Sequence, residues 1–414
     1  MRVHLRQSDP LRRHQVGRCR DPTRLDSPTR SEVASPVSLD HAPFTPPAAI
    51  VEDPRYLSDQ LLTYLGNKRS LLPLIDAAVE EVQTRLGRPL VVLDAFSGSG
   101  AVSRLLKARA SRVIANDLES YARVMSECYL SDRSDVDSDE ITSIMGIINN
   151  QVDQGLSFDG FIEELYAPDD DEHIRPGERV FYTRDNARRL DAYATLIHQL
   201  DDRLKPYLLA PLLSLASVHA NTSGVFKGFH KDRLTGIGRF GGSGRDALVR
   251  ILATIRLAPP VLSRHRGHKQ VFQMGANALP THVGPVDVAY LDPPYNQHPY
   301  GSNYFMLNLL VNYLRPHEIS PISGIPVDWN RSRYNVRKDS ATLLLDLATS
   351  LDARFLIVSF NDEGYIAPPE MVEMLASVGT VTEFRSRYNT FRGSRNLRAR
   401  RTHVTEHLFA VEKG

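Results

Sequence analysis

The chain has 414 residues, 42% apolar and 24% charged, enough mass for two or three domains and enough apolar content for a packed core. A net charge of +1 excludes a global field for a polyanionic partner, so any nucleic-acid contact has to be made by local charge. Two distant cysteines, Cys19 and Cys128, form neither a disulfide pattern nor a zinc pattern, and no apolar run approaches the ~20 residues of a membrane span. The expectation is a soluble protein of a reducing compartment, with no metal.

Residues 1–51 are rich in Arg, Ser, Asp and Pro and too poor in apolar residues to offset their ordering entropy, so they are expected to be disordered. They read equally as a basic arm or as the product of an overextended start codon. From Tyr64 the pattern becomes globular. SLLPLIDAAVEEVQTRLG predicts a helix over Ser70–Gly87. LVVLDAF (Leu90–Phe96) is a short continuous apolar run of the kind buried on both faces of a parallel sheet. A helix follows SGSG, then a second strand, RVIAND (Arg112–Asp117), then a helix from Glu119. This alternation predicts an α/β doubly wound sheet.

Beyond Ser131 the pattern changes. SDRSDVDSDE reads as an acidic linker, and helical spacing follows at Ser157–Tyr166, Asn186–Leu200 and Tyr207–Ala220. Strand patterns resume at Lys269–Met274, Val286–Leu291, Arg354–Phe360 and His407–Val411. SNYFMLNLL (Ser302–Leu310) predicts a helix with Ser302 as its N-cap, with Asn303 and Tyr304 near enough to its start to reach DNA. The simplest organisation is one α/β domain in two parts, 52–130 and 269–414, around a mainly helical insertion at 131–268.

LDAFSGSGAVSRLL joins a strand, a glycine turn and a helix start, a geometry that lets a ligand approach backbone N–H groups closely. Asp94 precedes the glycines and Asp117 ends the next strand, where an acid suits two ribose hydroxyls. Together they favour a nucleoside cofactor, although an ordinary strand–helix turn with Asp117 as an N-cap uses the same residues. The GxGxxG fingerprint is not met.

In VDVAYLDPPYNQ the prolines stop a buried strand and hold its tip in one shape. Proline has no N–H, so the Asp292 carboxylate and the Pro293 carbonyl offer acceptors only. Two fixed acceptors match an exocyclic amine, and Tyr295 supplies a flat face for a planar ring.

YLDPPY, LDAFSGSG and YLGNKRSLL, in this order around a large insertion, resemble the adenine-specific DNA methyltransferases with the alpha arrangement of motifs. The resemblance covers about residues 62–412. It implies a Rossmann-like sheet binding S-adenosylmethionine (SAM), an inserted target-recognition domain, and methyl transfer to the 6-amino group of adenine in duplex DNA. Tyr64, Gly66 and Lys68 match the N-terminal motif that touches SAM; Asp94, Phe96, Gly98, Gly100 and Asp117 match the glycine loop and ribose acid; Asp292, Pro293, Pro294 and Tyr295 match the catalytic tetrapeptide. Asp292 also adjoins the cofactor. Where the family often has an acid for the SAM adenine, QMGANAL offers Asn277. The resemblance further implies base flipping against Tyr295, a restriction–modification or solitary role, a separately encoded endonuclease in the former case, and a prokaryotic cytosolic setting.

Two basic segments are placed for the nucleic acid. One is VFKGFHKDRLTGIGRFGGSGR, with Lys227, His230, Lys231 and Arg233 among glycines; the other is Arg385–Arg401, with Arg387, Arg392, Arg395 and Arg398 interleaved with Tyr388 and Phe391. Either can also be a solvated loop. The second is expected on a hairpin beside HLFAV. SFNDEG (Ser359–Gly364) reads as a lining of the base pocket or as a plain β-turn. RNA as substrate, cytosine as target and a catalytically dead DNA-binding protein are the competing readings. The intact DPPY and glycine-loop motifs weigh against the last.

Overall fold

The computed structural model describes residues 30–31, 50–242, 245–389 and 403–414. Among these, eight strands build one sheet: β1 (Arg30–Ser31), β2 (Leu90–Asp94), β3 (Ala110–Asp117), β4 (His268–Gln273), β5 (Val286–Leu291), β6 (Ala353–Asn361), β7 (Gly379–Asn389) and β8 (His403–Lys413). Their order is β1-β7-β8-β6-β5-β2-β3-β4. The run from β4 to β6 is parallel. β8 lies antiparallel between β6 and β7.

Strand periodicity divides the central residues between two cores. Leu93, Ile114, Ala289, Leu291, Leu356 and Val358 face one layer; Val92, Val113, Val288, Tyr290 and Ile357 face the other. Both faces are covered, so the apolar runs are nearly continuous. Asp287 is the buried exception inside β5. Its carboxylate accepts from Arg88 at 2.6 and 2.8 Å and from the Val91 N–H at 2.8 Å. The helix Leu72–Leu86 lays Ile75, Val79 and Val82 on the second layer and ends at Gly87, whose φ of 64° suits glycine.

The long connection from β3 to β4 carries the helices Ser138–Asp153, Phe161–Tyr166, Arg184–His198, Lys205–His219 and Arg245–Leu252. Their core is continuous with that of two helices of the α/β part, through Tyr121 and Met125 of Ser120–Tyr129 and through Phe305 and Leu309 of Phe305–Asn312.

Several sequence expectations change. The acidic run is the start of a helix: Asp137 accepts from the Asp139 and Glu140 N–H groups and caps Ser138–Asp153. Apolar residues at Ile141, Met145, Ile148 and Val152 drive that helix into the core. Ser302 caps nothing. It lies inside the short helix Tyr300–Asn303, a break follows at Tyr304, and a new helix begins at Phe305. Asn303 and Tyr304 are buried, so neither faces DNA. β7 is the partner of β8 in the expected hairpin, whose tip lies outside the described residues, as do residues 1–29 and 32–49 of the N-terminal extension; Arg30–Ser31 pairs with Phe384 and Glu383.

Candidate active site

The parallel strands end along one edge of the sheet, where open α/β sheets place their ligands. Asp94 is level with Tyr290 across β2 and β5, so the glycine loop and the DPPY loop leave the sheet side by side. Asn116, at the end of β3, joins the neighbouring loops. Its Nδ2 donates to the Ala95 and Met274 carbonyls at 3.0 and 3.1 Å, and its Oδ1 accepts from the Met274 N–H at 3.1 Å. These fixed loops enclose a cavity of about 320 Å³ lined by Tyr64, Phe96, Gly98, Asp117, Asn277 and Asp292, among others.

The glycine loop wraps the Asp117 carboxylate. Oδ2 accepts from the Gly98 N–H at 2.8 Å, and Oδ1 from the Glu119 N–H at 3.0 Å. Burial raises the Asp117 pKa against these donors. Gly98 adopts φ 51°, and a Cβ there would lie 3.0 Å from the Tyr64 ring. Gly100, at φ 76°, closes the turn through its N–H to the Ser97 carbonyl and does not line the cavity. Asp94 lies deeper, accepting from Ser103 Oγ at 2.5 Å; burial pushes its pKa up to about 7.

Tyr64 is held by aromatic packing. Its ring stacks on Tyr304 at 4.7 Å and on Tyr300 at 5.1 Å. The Leu65 N–H donates to the Tyr304 hydroxyl at 2.7 Å, and the Tyr300 hydroxyl donates to the Leu65 carbonyl at 3.2 Å. The N-terminal GNKR segment is thereby fastened to the helices that follow DPPY. Gly66 lines the cavity beside Tyr300.

The DPPY loop projects Asp292 and Pro294 into the cavity, while Pro293 is buried outside its lining. Burial raises the Asp292 pKa to about 6, with Lys68 opposing the rise. Lys68 Nζ stands 3.1 Å from Asp292 Oδ1. Burial disfavours the ammonium, but Asp292 and Glu406 outweigh it and hold the Lys68 pKa well above its usual range. Lys68, expected to touch the cofactor, is therefore engaged first by the tetrapeptide's carboxylate. Tyr295 packs edge-on against Phe360 at 5.6 Å, with Lys68 Nζ 5.5 Å from its ring centroid.

Asn277 lines the cavity, but its amide is already used. Nδ2 donates to the Leu343 carbonyl at 2.9 Å and to Asp346 Oδ2 at 2.8 Å, and Oδ1 accepts from the Tyr334 hydroxyl at 2.8 Å. Those bonds commit both amide N–H groups, so toward an adenine edge Asn277 offers the second lone pair of Oδ1 as an acceptor.

Sequence reasoning missed Glu119, Asn330 and Tyr334, all in the lining. Glu119 Oε2 accepts from Asn308 Nδ2 at 2.5 Å and Asn330 Nδ2 at 3.0 Å, and burial raises its pKa to about 7. Its signal was present in IANDLES, two residues after Asp117. The NRSRYN segment carries no pattern that separates it from a surface loop.

A family model described as D12 class N6 adenine-specific DNA methyltransferase matches residues 64–233, from the GNKR segment through the first basic loop. The chain is 26% identical to the type II methyltransferase M.NlaIII of Neisseria lactamica, over 85% of this chain and 99% of that protein. It is 25% identical to the type II methyltransferase M.CviAII of Paramecium bursaria Chlorella virus 1, over 84% and 97%. M.FokI of Planomicrobium okeanokoites is 24% identical over 85% of this chain and 53% of its own length. The chain is thus similar to adenine-specific DNA methyltransferases in its N-terminal half and to type II methyltransferases over most of its length.

Of the basic residues expected to meet DNA, Lys227, His230, Lys231 and Arg233 are not among those that line the cavity. Lys227 and Arg233 are exposed, and Lys231 sets its ammonium 4.8 Å from the Phe229 ring centroid. Asp232 accepts from the Leu234 and Thr235 N–H groups at 2.9 Å each, fixing the turn that carries Arg233. His230 shares this loop, its backbone N–H donating to the Asn221 carbonyl. Arg387 is a residue of β7; Arg392, Arg395 and Arg398 lie outside the described residues. No described helix is long and apolar enough to cross a membrane.

Proposed function

We propose that the enzyme transfers a methyl group from SAM to the 6-amino group of an adenine turned out of duplex DNA, with the DPPY loop as the catalytic centre. The observation that carries this reading is the shared cavity: the Asp292 carboxylate opens into the same space as the Asp117 carboxylate and the Gly98 turn. An acceptor fixed at one wall, Asp292, suits an amine, and an acid wrapped by a glycine turn at the other suits a ribose diol. The residues present fit SAM. Asp117, the Gly98 turn, Phe96 and Tyr64 would hold it, and when bound it supplies an electrophilic methyl group on a sulfonium.

The adenine amine is a weak nucleophile because its lone pair is delocalised into the ring. Asp292 and the Pro293 carbonyl accept its N–H groups and draw electron density onto nitrogen, favouring a pyramidal geometry. The prolines hold these acceptors without a conformational search, so positioning supplies much of the rate. Tyr295 stacks against the flipped base. The helices between β3 and β4 form the target-recognition domain, and Lys227, His230, Lys231, Arg233 and the arginines of the basic segment 385–401 meet the phosphates. The names of the relatives, type II methyltransferase and modification methylase, support a modification role, beside a separately encoded endonuclease or alone.

Long-read sequencing of DNA from a host expressing the chain tests the reading. It should reveal 6-methyladenine at one short motif, absent from a host expressing Asp292→Ala. Asp292→Ala should lower transfer by about 100-fold or more while the protein stays folded. Methylated host DNA from that variant, label transferred to RNA rather than DNA, or modified cytosine would each sink the assignment.

A further inference from the structure

Lys68 serves two carboxylates. Its side chain is 4% exposed, and Nζ lies 3.1 Å from Asp292 Oδ1 and 3.9 Å from Glu406 Oε2. Neither contact has the alignment of a full hydrogen bond, since Nζ and Glu406 Oε2 are both buried atoms without a hydrogen-bond partner. Glu406 sits in β8, level with Asn361 of β6 and Ser386 of β7, and is 3% exposed. Among the described residues, Lys68 is the cation within ion-pair distance of it. A carboxylate in such surroundings is costly to keep unless a cation answers it. A second acid behind the catalytic one is therefore a feature that packing alone does not explain.

The chemistry of Asp292 supplies a reason. To accept from an adenine amine it needs its lone pairs, and an ammonium 3.1 Å from Oδ1 competes for them. The two Lys68 distances differ by less than a bond length, so a small swing of the ammonium exchanges its partners. Besides the two acids, the groups that act on the ammonium are Tyr295, whose ring centroid is 5.5 Å from Nζ, and Tyr290, whose hydroxyl is buried without a hydrogen-bond partner. Building on the adenine methyltransferase reading above, we propose that Glu406 is a positioning residue: it takes the Lys68 ammonium when Asp292 accepts from the target amine. Lys68 then neutralises Asp292 in the resting enzyme and releases it on base entry without ever being left unpaired in the interior. Glu406 touches no reacting atom in this scheme.

The test has two parts. The first is a double-mutant cycle on thermal unfolding with D292N and E406Q. Each single variant leaves the ammonium one carboxylate, so the double variant should lose more stability than the two singles together. Additive losses would overturn the shared cation. The second is steady-state methyl transfer. E406Q strands Lys68 on Asp292, so kcat should fall by about tenfold or more with the KM for SAM within about twofold, and E406D should recover part of the loss. A kcat for E406Q equal to wild type, or a loss confined to KM, would overturn the proposal. Absence of transfer by the wild-type chain would instead count against the functional reading, and the unfolding cycle would still decide whether the two acids share one cation.

Discussion

Lys68 Nζ, 3.1 Å from Asp292 Oδ1, ties a segment that precedes the first parallel strand to the loop that follows β5. The ammonium opposes the burial that raises Asp292, whose pKa stands at about 6. In the proposed mechanism Asp292 works as the ionised acceptor, so activity should be present above that value and lost as pH falls through it. In Lys68→Met the lowering influence is gone, and the acid limb of the kcat/KM profile, which reports the free enzyme, should move up by about one unit or more. Activity should be partly recovered at higher pH. An acid limb that stays where wild type has it would show that another group sets it.

Asp117 has two duties, accepting from the Gly98 N–H and presenting its carboxylate to the cavity. Asp117→Ala removes the proposed ribose acceptor and the carboxylate that holds the turn. Titration calorimetry should show SAM affinity weakened by about ten- to a hundredfold, the range expected for a lost charged hydrogen bond. Affinity within twofold of wild type would mean that the ribose is held elsewhere.

Gly98 cannot be enlarged without cost. Its φ of 51° disfavours a side chain, and a Cβ would press 3.0 Å from Tyr64, which Tyr300 and Tyr304 hold from behind. Gly98→Ala should lower unfolding stability by about 1–3 kcal/mol. Denaturant unfolding at neutral pH measures this, and an unchanged midpoint would show that the loop relaxes freely.

Glu119 is held by two asparagine amides in a buried setting, and its pKa is raised from 4.5 to about 7. The folded state therefore binds this proton more tightly than the unfolded chain does. Its contribution to stability is fully present below about 4.5 and is lost as pH rises through about 7. Glu119→Gln has no such dependence. The variant should be more stable than wild type at pH ~8, by on the order of 1–3 kcal/mol, with the gain fading as pH falls toward ~4.5. Unfolding curves at several pH values test the sign directly.

The parallel strands were legible because both their faces are buried, which leaves short apolar runs such as LVVLD and VDVAYL. The helix Ser138–Asp153 was not, because its charged first turn masks an apolar stripe that becomes plain only from Ile141 onward. Ser302 misled for a related reason: SNYFMLNLL is one apolar run, but Tyr304 leaves helical geometry at φ −124°, ψ 25° and splits it.

The site divides along the same line. The type and order of its motifs are local facts, since a glycine turn after a strand and a proline-stiffened acidic tip each follow from a few adjacent residues. Sequence alone therefore determined that a SAM-type pocket and an amine-accepting loop were expected, and in which order. Which groups face each other is decided by the register of β2 against β5 and by the tyrosine stack that seats GNKR over DPPY. Asn277 shows the difference: the bonds of its amide to Leu343, Asp346 and Tyr334 are set by residues far along the chain and have no local signal. Glu406 shows it further. An acid in THVTEHLFAV looks like the polar side of an edge strand. It becomes a buried partner of Lys68 only because β8 inserts between β6 and β7 and water is excluded from both of its faces.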